Sequence, residues 1–178
     1  MRIVAPALAL VLLASPVRAE EVGLVGEATI GGASRHVTLR LACDPAHAGL
    51  SAALTIPRFA DLAATFAFDA FEGPGGTGKP LTAIRVAGAN GVRSMIAPAS
   101  GAVAADPATS FTLTVAGPRR TESPLRGIAP GLAEANARIV WTQSSPRAGD
   151  AAIIATFPVT DAAVMRTVIE PCVPGAPS

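Results

Sequence analysis

The stretch RHVTLRLAC, Arg35 to Cys43, alternates polar and apolar side chains without a break. Successive residues of an extended chain point to opposite faces. Val37, Leu39 and Leu41 therefore share one face and His36, Thr38 and Arg40 the other, as in a strand buried on one side only. The same period recurs in Ala52, Leu54 and Ile56, in Thr82, Ile84 and Val86, and in Phe111, Leu113 and Val115. Residues 22–30, 65–72, 92–96, 138–143 and 151–157 are further strand candidates. Breakers separate these runs: Gly31-Gly32, Asp44-Pro45, residues 73–80, Asn90-Gly91, Asp106-Pro107 and Ser145-Pro146. Asn90-Gly91, between IRVAGA and VRSMI, is the best two-residue hairpin signal and predicts adjacent antiparallel strands.

Helix is scarce. Residues 158–170 are the best candidate, with Thr160 or Asp161 as cap, Val164 over Val168, Met165 over Ile169, and Pro171 as the stop. Residues 58–64 and 130–135 are read as single helical turns. The pattern predicts an all-β fold, an antiparallel β-sandwich or barrel of about eight to ten strands with a short C-terminal helix.

The first nineteen residues, MRIVAPALALVLLASPVRA, carry one early positive charge at Arg2, an apolar run from Ile3 to Leu13, and Val17 and Ala19 at the −3 and −1 positions. That is the form of a cleavable signal peptide, with Glu20 as the first mature residue. The apolar run is about half of the roughly 20 residues a membrane-crossing helix needs. No cysteine near the cut offers a lipid anchor, and no Arg-Arg pair marks the twin-arginine route. The expected organisation is a signal at 1–19, a single β domain at 20–172 and a disordered tail at 173–178. The expected location is the bacterial periplasm or the medium, with no membrane span once the signal is removed.

Charge argues against nucleic acid as a partner. The chain carries 14 basic and 13 acidic side chains, and loss of Arg2 and Arg18 turns its net +1 into about −1. Phosphate binding needs a clustered basic excess. Cys43 and Cys172 are the only two cysteines. In an oxidising compartment an even pair is read as one disulfide, tying the C-terminal tail to an early strand.

Several strings suggest chemistry and fall short of it. GPGGTGKP, Gly73 to Pro80, matches the first seven positions of a phosphate-binding loop. Its eighth position is Pro80, which has no hydroxyl for a magnesium ion, and LTAIRV after it alternates like a strand, so no helix N-terminus faces a phosphate. It is read as a Gly-rich connection with Lys79 exposed, and no nucleotide is expected. His36, Cys43 and His47 lack the paired spacing of a zinc site, and a disulfide would remove Cys43 from it. No metal and no cofactor are expected. Gly32-Ala33-Ser34 continues into Arg35-His36 and not into a nucleophile elbow. Asp69 and Glu72 are the nearest pair of carboxylates on a candidate strand end. With six Phe, one Trp and no Tyr, aromatics are thin; Phe66, Phe68, Phe71, Phe111, Phe157 and Trp141 are read as core, which argues against a sugar-stacking surface.

The best binding candidate is GPRRTESPLRG, Gly117 to Gly127, which places Arg119, Arg120 and Arg126 in a polar loop after a strand, where guanidinium forks suit carboxylate or phosphate. The expected function is a non-catalytic binding module recognising another envelope or extracellular protein, or an envelope component, through its loops. The alternatives are a small exported hydrolase working through carboxylates such as Asp69 and Glu72, and a structural envelope protein.

Overall fold

The computed structural model describes residues 20–46, 49–74, 76–106, 109–117 and 122–173. The expected signal at 1–19, His47, Arg119, Arg120 and tail residues 174–178 lie outside the described residues.

Nine strands follow the period-2 pattern: β1 (Glu20–Ile30), β2 (Ala33–Asp44), β3 (Gly49–Pro57), β4 (Thr82–Gly88), β5 (Gly91–Ala97), β6 (Ser100–Val103), β7 (Ser110–Val115), β8 (Arg138–Gln143) and β9 (Ile153–Pro158). They form one sheet in the order β5-β4-β8-β9-β1-β2-β3-β7-β6, and every neighbouring pair is antiparallel. The sheet curls on itself as a half-barrel, and its inner face forms one core. Gly31 and Gly32, with φ of 56° and 83°, turn β1 into β2. That left-handed geometry matches the strand twist and is open to glycine at little cost. The second hairpin forms where expected, one residue earlier: Gly88 pairs with Gly91, leaving Ala89-Asn90 at its tip.

The register explains the curl. Paired positions lead from Ile96 through Ala83, Thr142 and Ile154 to Thr29, and from Ser100 through Thr114, Ala53 and Arg40 to Gly23. The two edges are thus offset along β1 by the distance from Gly23 to Thr29, about 20 Å at the usual strand rise. Only Pro98 and Ala99 separate β5 from β6 along the chain. Two linking residues span no more than about 10 Å, so one edge is carried directly to the other, with the tilt a closing barrel requires. The offset leaves the β4–β5 hairpin standing beyond the start of β6. There the 3₁₀ turn Pro124–Gly127 packs against both β5 and β3, with Leu125 fully buried.

Both ends of the barrel are plugged. At the hairpin end sit α1 (Ala129–Leu132) and α2 (Ala162–Ile169). Asp161 caps α2 by accepting hydrogen bonds from the Ala163 and Val164 amides at 3.0 Å each. Met165, Val168 and Ile169 bury the inner side of α2 against the ends of β1 and β2. Cys172, in the 3₁₀ turn that follows, is disulfide-bonded to Cys43 of β2, with the Cα atoms 5.8 Å apart. Val173 extends the ordered chain past this bond: it is buried, and its amide donates to the Glu170 carbonyl at 3.2 Å.

At the opposite end, residues 65–72 correct the expectation of a strand. They form turns and a 3₁₀ helix, Asp69–Phe71, because their apolar residues do not keep to one face. Phe66, Ala67, Phe68 and Phe71 are all buried. With Phe59 and Phe111 they make a ring cluster whose centroids lie 4.8 to 5.7 Å apart. Apart from one bridge from Glu72 to Gly101 of β6, the backbone here finds side chains and a loop as partners. The Ala67 amide donates to Asp150 Oδ2 at 3.0 Å, Arg147 donates to the Ala63 and Ala64 carbonyls at 3.3 Å, and the Ala151 amide donates to the Thr65 carbonyl. Ser145 and Arg147 also donate to Asp150, at 2.6 Å each.

Candidate functional site

With both ends plugged and the lumen filled by Trp141, Phe157 and their neighbours, a concave surface is found on the rim. A cleft of about 530 Å³ opens at the hairpin end, between the β4–β5 tip, α1 and α2. This is within the range of small-molecule sites.

Three features of the local sequence build it. In β5, Arg93 has the same parity as Met95 and Ala97, so its stem leaves the strand on the inner face and reaches the rim. It can lie flat there because α1 presents Gly131. A Cβ at that position would come within 3.4 Å of Arg93 Cδ and 3.2 Å of Val86 Cγ1. From the other side α2 contributes Arg166 and Ile169, and the turn after it contributes Glu170. The loop after α1 contributes Glu134, whose carboxylate accepts the Asn90 amide at 2.9 Å and lies against Gly88. This contact fixes the hairpin tip and occupies one of the two carboxylates. The remaining walls are largely Ala89, Ala129, Pro130 and Ala133.

Arginine pairing divides the described residues, and Arg85 and Arg138, exposed on the outer sheet face, make no ion pair or side-chain hydrogen bond among them. Arg35 is tied to Asp61 and to the Pro57 and Arg58 carbonyls, Arg40 to Glu21, Arg58 to Asp61, and Arg147 to Asp150. Arg93 and Arg166 make no ion pair or hydrogen bond among the described residues. A guanidinium offers five donors in a fixed planar fork, so two of them left unpaired beside one apolar hollow can grip an oxyanion.

The sequence-predicted residues fall elsewhere. Arg126 lies exposed in the 3₁₀ turn Pro124–Gly127 and does not line the cleft, while Arg119 and Arg120 lie outside the described residues. Asp69 and Glu72 sit exposed on the phenylalanine-rich plug, on a turn and not a strand end. Lys79 belongs to a turn in which Thr77 Oγ1 accepts its amide, and the Gly-rich loop opens into strand β4. His36 stands on the outer face of β2 beside Arg35 and Glu27, in a shallower hollow of about 320 Å³. Cys43, being in the disulfide, is no metal ligand, and among the described residues no three His, Cys, Asp or Glu side chains come together as a metal site. Sequence reasoning missed Arg93 and Arg166. The signal for Arg93 was its parity: a charge in step with two apolar, inward-facing residues of one strand. Compared with known proteins, the chain matches no family model, no curated protein and no solved structure.

Proposed function

We propose that this chain is an exported, non-catalytic binding module of the bacterial periplasm or secretome that holds its ligand in the rim cleft between the β4–β5 hairpin, α1 and α2. The observation that carries the reading is the pair Arg93 and Arg166, brought from distant parts of the sequence to one concavity and left without protein partners among the described residues. The frame around them supports it. The disulfide anchors the chain just beyond α2, Glu134 anchors the hairpin tip, and both barrel ends are packed, so the cleft walls are held before a ligand arrives. A buried disulfide also suits an oxidising compartment, and no helix among the described residues is long and apolar enough to cross a membrane.

The test is a titration of ¹⁵N-labelled protein, purified after export from expressing cells, with a library of small acids, bases, neutral solutes and cell-wall fragments. Amide shifts clustering on Ala89, Asn90, Ala133 and Ile169 support the reading. Shifts confined to the outer sheet face or to the hollow beside His36, or no shifts with any compound, overturn it.

A further inference from the structure

We infer that the ligand is a monocarboxylate: one singly charged oxyanion on a compact apolar body. This rests on the rim cleft being the binding site and assigns the chemistry it selects. Charge is the first argument. Arg93 and Arg166 face the cleft together with Glu134 and Glu170, so the four groups sum to zero before anything binds. Glu134 is already engaged with the Asn90 amide and is held against the hairpin backbone at Gly88, which draws its carboxylate toward the tip. Glu170 is exposed and makes no ion pair among the described residues, although it follows Arg166 at helical i,i+4 spacing. A single negative charge completes the two arginines, whereas a second one would share the cleft with Glu170 and be repelled.

Shape is the second argument. Apart from these charges and Asn90, the lining among the described residues consists of alanines, Pro130 and Ile169, with no hydroxyl, thiol or imidazole. Such walls exclude water from an apolar body but offer a polar one no partners, so a sugar or polyol would lose its hydration without compensation. Geometry is the third. Arg93 comes from the β4–β5 hairpin, its Cδ against Gly131 of α1, and Arg166 comes from α2, so the two guanidinium groups enter one cleft from different elements.

The experiment uses three probes on one body: 4-methylpentanoate, 4-methylpentanamide and 4-methylpentyl phosphate, each titrated against the whole exported protein and followed by the amide shifts of Ala133 and Ile169. The carboxylate is expected to bind more tightly than the amide by about tenfold or more, and Arg166→Gln to weaken it by about tenfold. Arg93→Lys keeps the charge but removes the fork, and is expected to weaken binding severalfold while leaving the spectrum folded. Arg85→Gln, on the outer sheet face, is expected to change nothing. Equal binding of amide and carboxylate, or unchanged binding in both cleft variants, overturns the carboxylate assignment while leaving the cleft as the site. Tighter binding of the phosphate overturns the single-charge argument. If none of the three moves the cleft resonances, the carboxylate assignment falls, while the cleft reading stands or falls on the wider library.

Discussion

Breaking the Cys43–Cys172 bond is the perturbation whose size the structure fixes best. The bond closes a loop with a sequence separation of 129. In the chain-entropy description, opening a loop of that length returns about 5 kcal/mol of conformational freedom to the unfolded chain. For a domain of this size that corresponds to a fall in Tm of roughly 10 to 20 °C. Both sulfurs lie in the core, each residue 1% exposed, so a thiol reductant reaches them only after α2 and its following turn lift away. Cys43→Ser and Cys172→Ser should therefore lower the midpoint by the same amount, in both thermal and urea melts. The native protein should resist dithiothreitol until denaturant loosens the C-terminal helix. Two thiols titrating in the native protein, or serine variants that melt with the parent, would refute the reasoning. Unequal losses in the two variants would show that packing around one sulfur, and not loop entropy, dominates.

Three further outcomes follow from single side chains. Trp141 is fully buried and its Nε1 has no hydrogen-bond partner among the described residues, so Trp141→Phe removes an orphan donor worth about 1–3 kcal/mol as it opens a small void. It should cost much less in urea melts than Phe111→Ala, for which about 3–5 kcal/mol is expected, and comparable losses in the two variants would contradict the packing described. Removing the α2 cap with Asp161→Ala should destabilise by about 1 kcal/mol, since two amides lose their acceptor; no change in midpoint would mean that water replaces the carboxylate at no cost. For Asp150, desolvation pushes the carboxyl upward, but hydrogen bonds from Ser145, Arg147 and the Ala67 amide, with the Arg147 charge, outweigh it and hold the pKa below its ordinary value. A lowered folded-state pKa gives stability that is complete above the unfolded value near 3.9 and fades as pH falls through the folded one. Asp150→Asn should accordingly flatten the acid limb of a stability–pH curve, and an unchanged limb would show that other carboxylates govern it.

The strands that alternate cleanly were legible because burial on one face leaves a period that no distant contact can erase. The two errors of element both arose where that condition fails. Residues 65–72 contain Phe66 and Phe68 in step but Phe71 out of step, and Ala67 is buried as well. The segment is enclosed on several sides as an end plug, so its apolar content carried no information about extension. Strand β6, Ser100–Val103, was missed for the opposite reason. Its most buried position is Gly101, over which the Phe111 ring lies so closely that a Cβ would collide with it, and this leaves the half-buried Val103 as the strand's one larger inward apolar residue, too little to set a period.

The cleft was harder to read because its two arginines come from different kinds of element, and only one of them is subject to a local rule. Arg119, Arg120 and Arg126 stood out because they are neighbours along the chain, yet nearness in sequence says little about a surface assembled from a hairpin and two helices. Arg93 could have been found: in β5 it shares parity with Met95 and Ala97, and a charge on the buried side of a strand must either pair, as Arg35 does with Asp61, or emerge at an edge. Arg166 could not. Its direction depends on how α2 settles on β1 and β2, which is fixed by Met165, Val168 and Ile169 together with the bond from Cys172 to Cys43. The disulfide therefore does more than limit the unfolded chain. It anchors the chain just beyond α2, so the place of Arg166 beside the hairpin depends in part on a cysteine of β2, a strand with no residue among the described cleft lining.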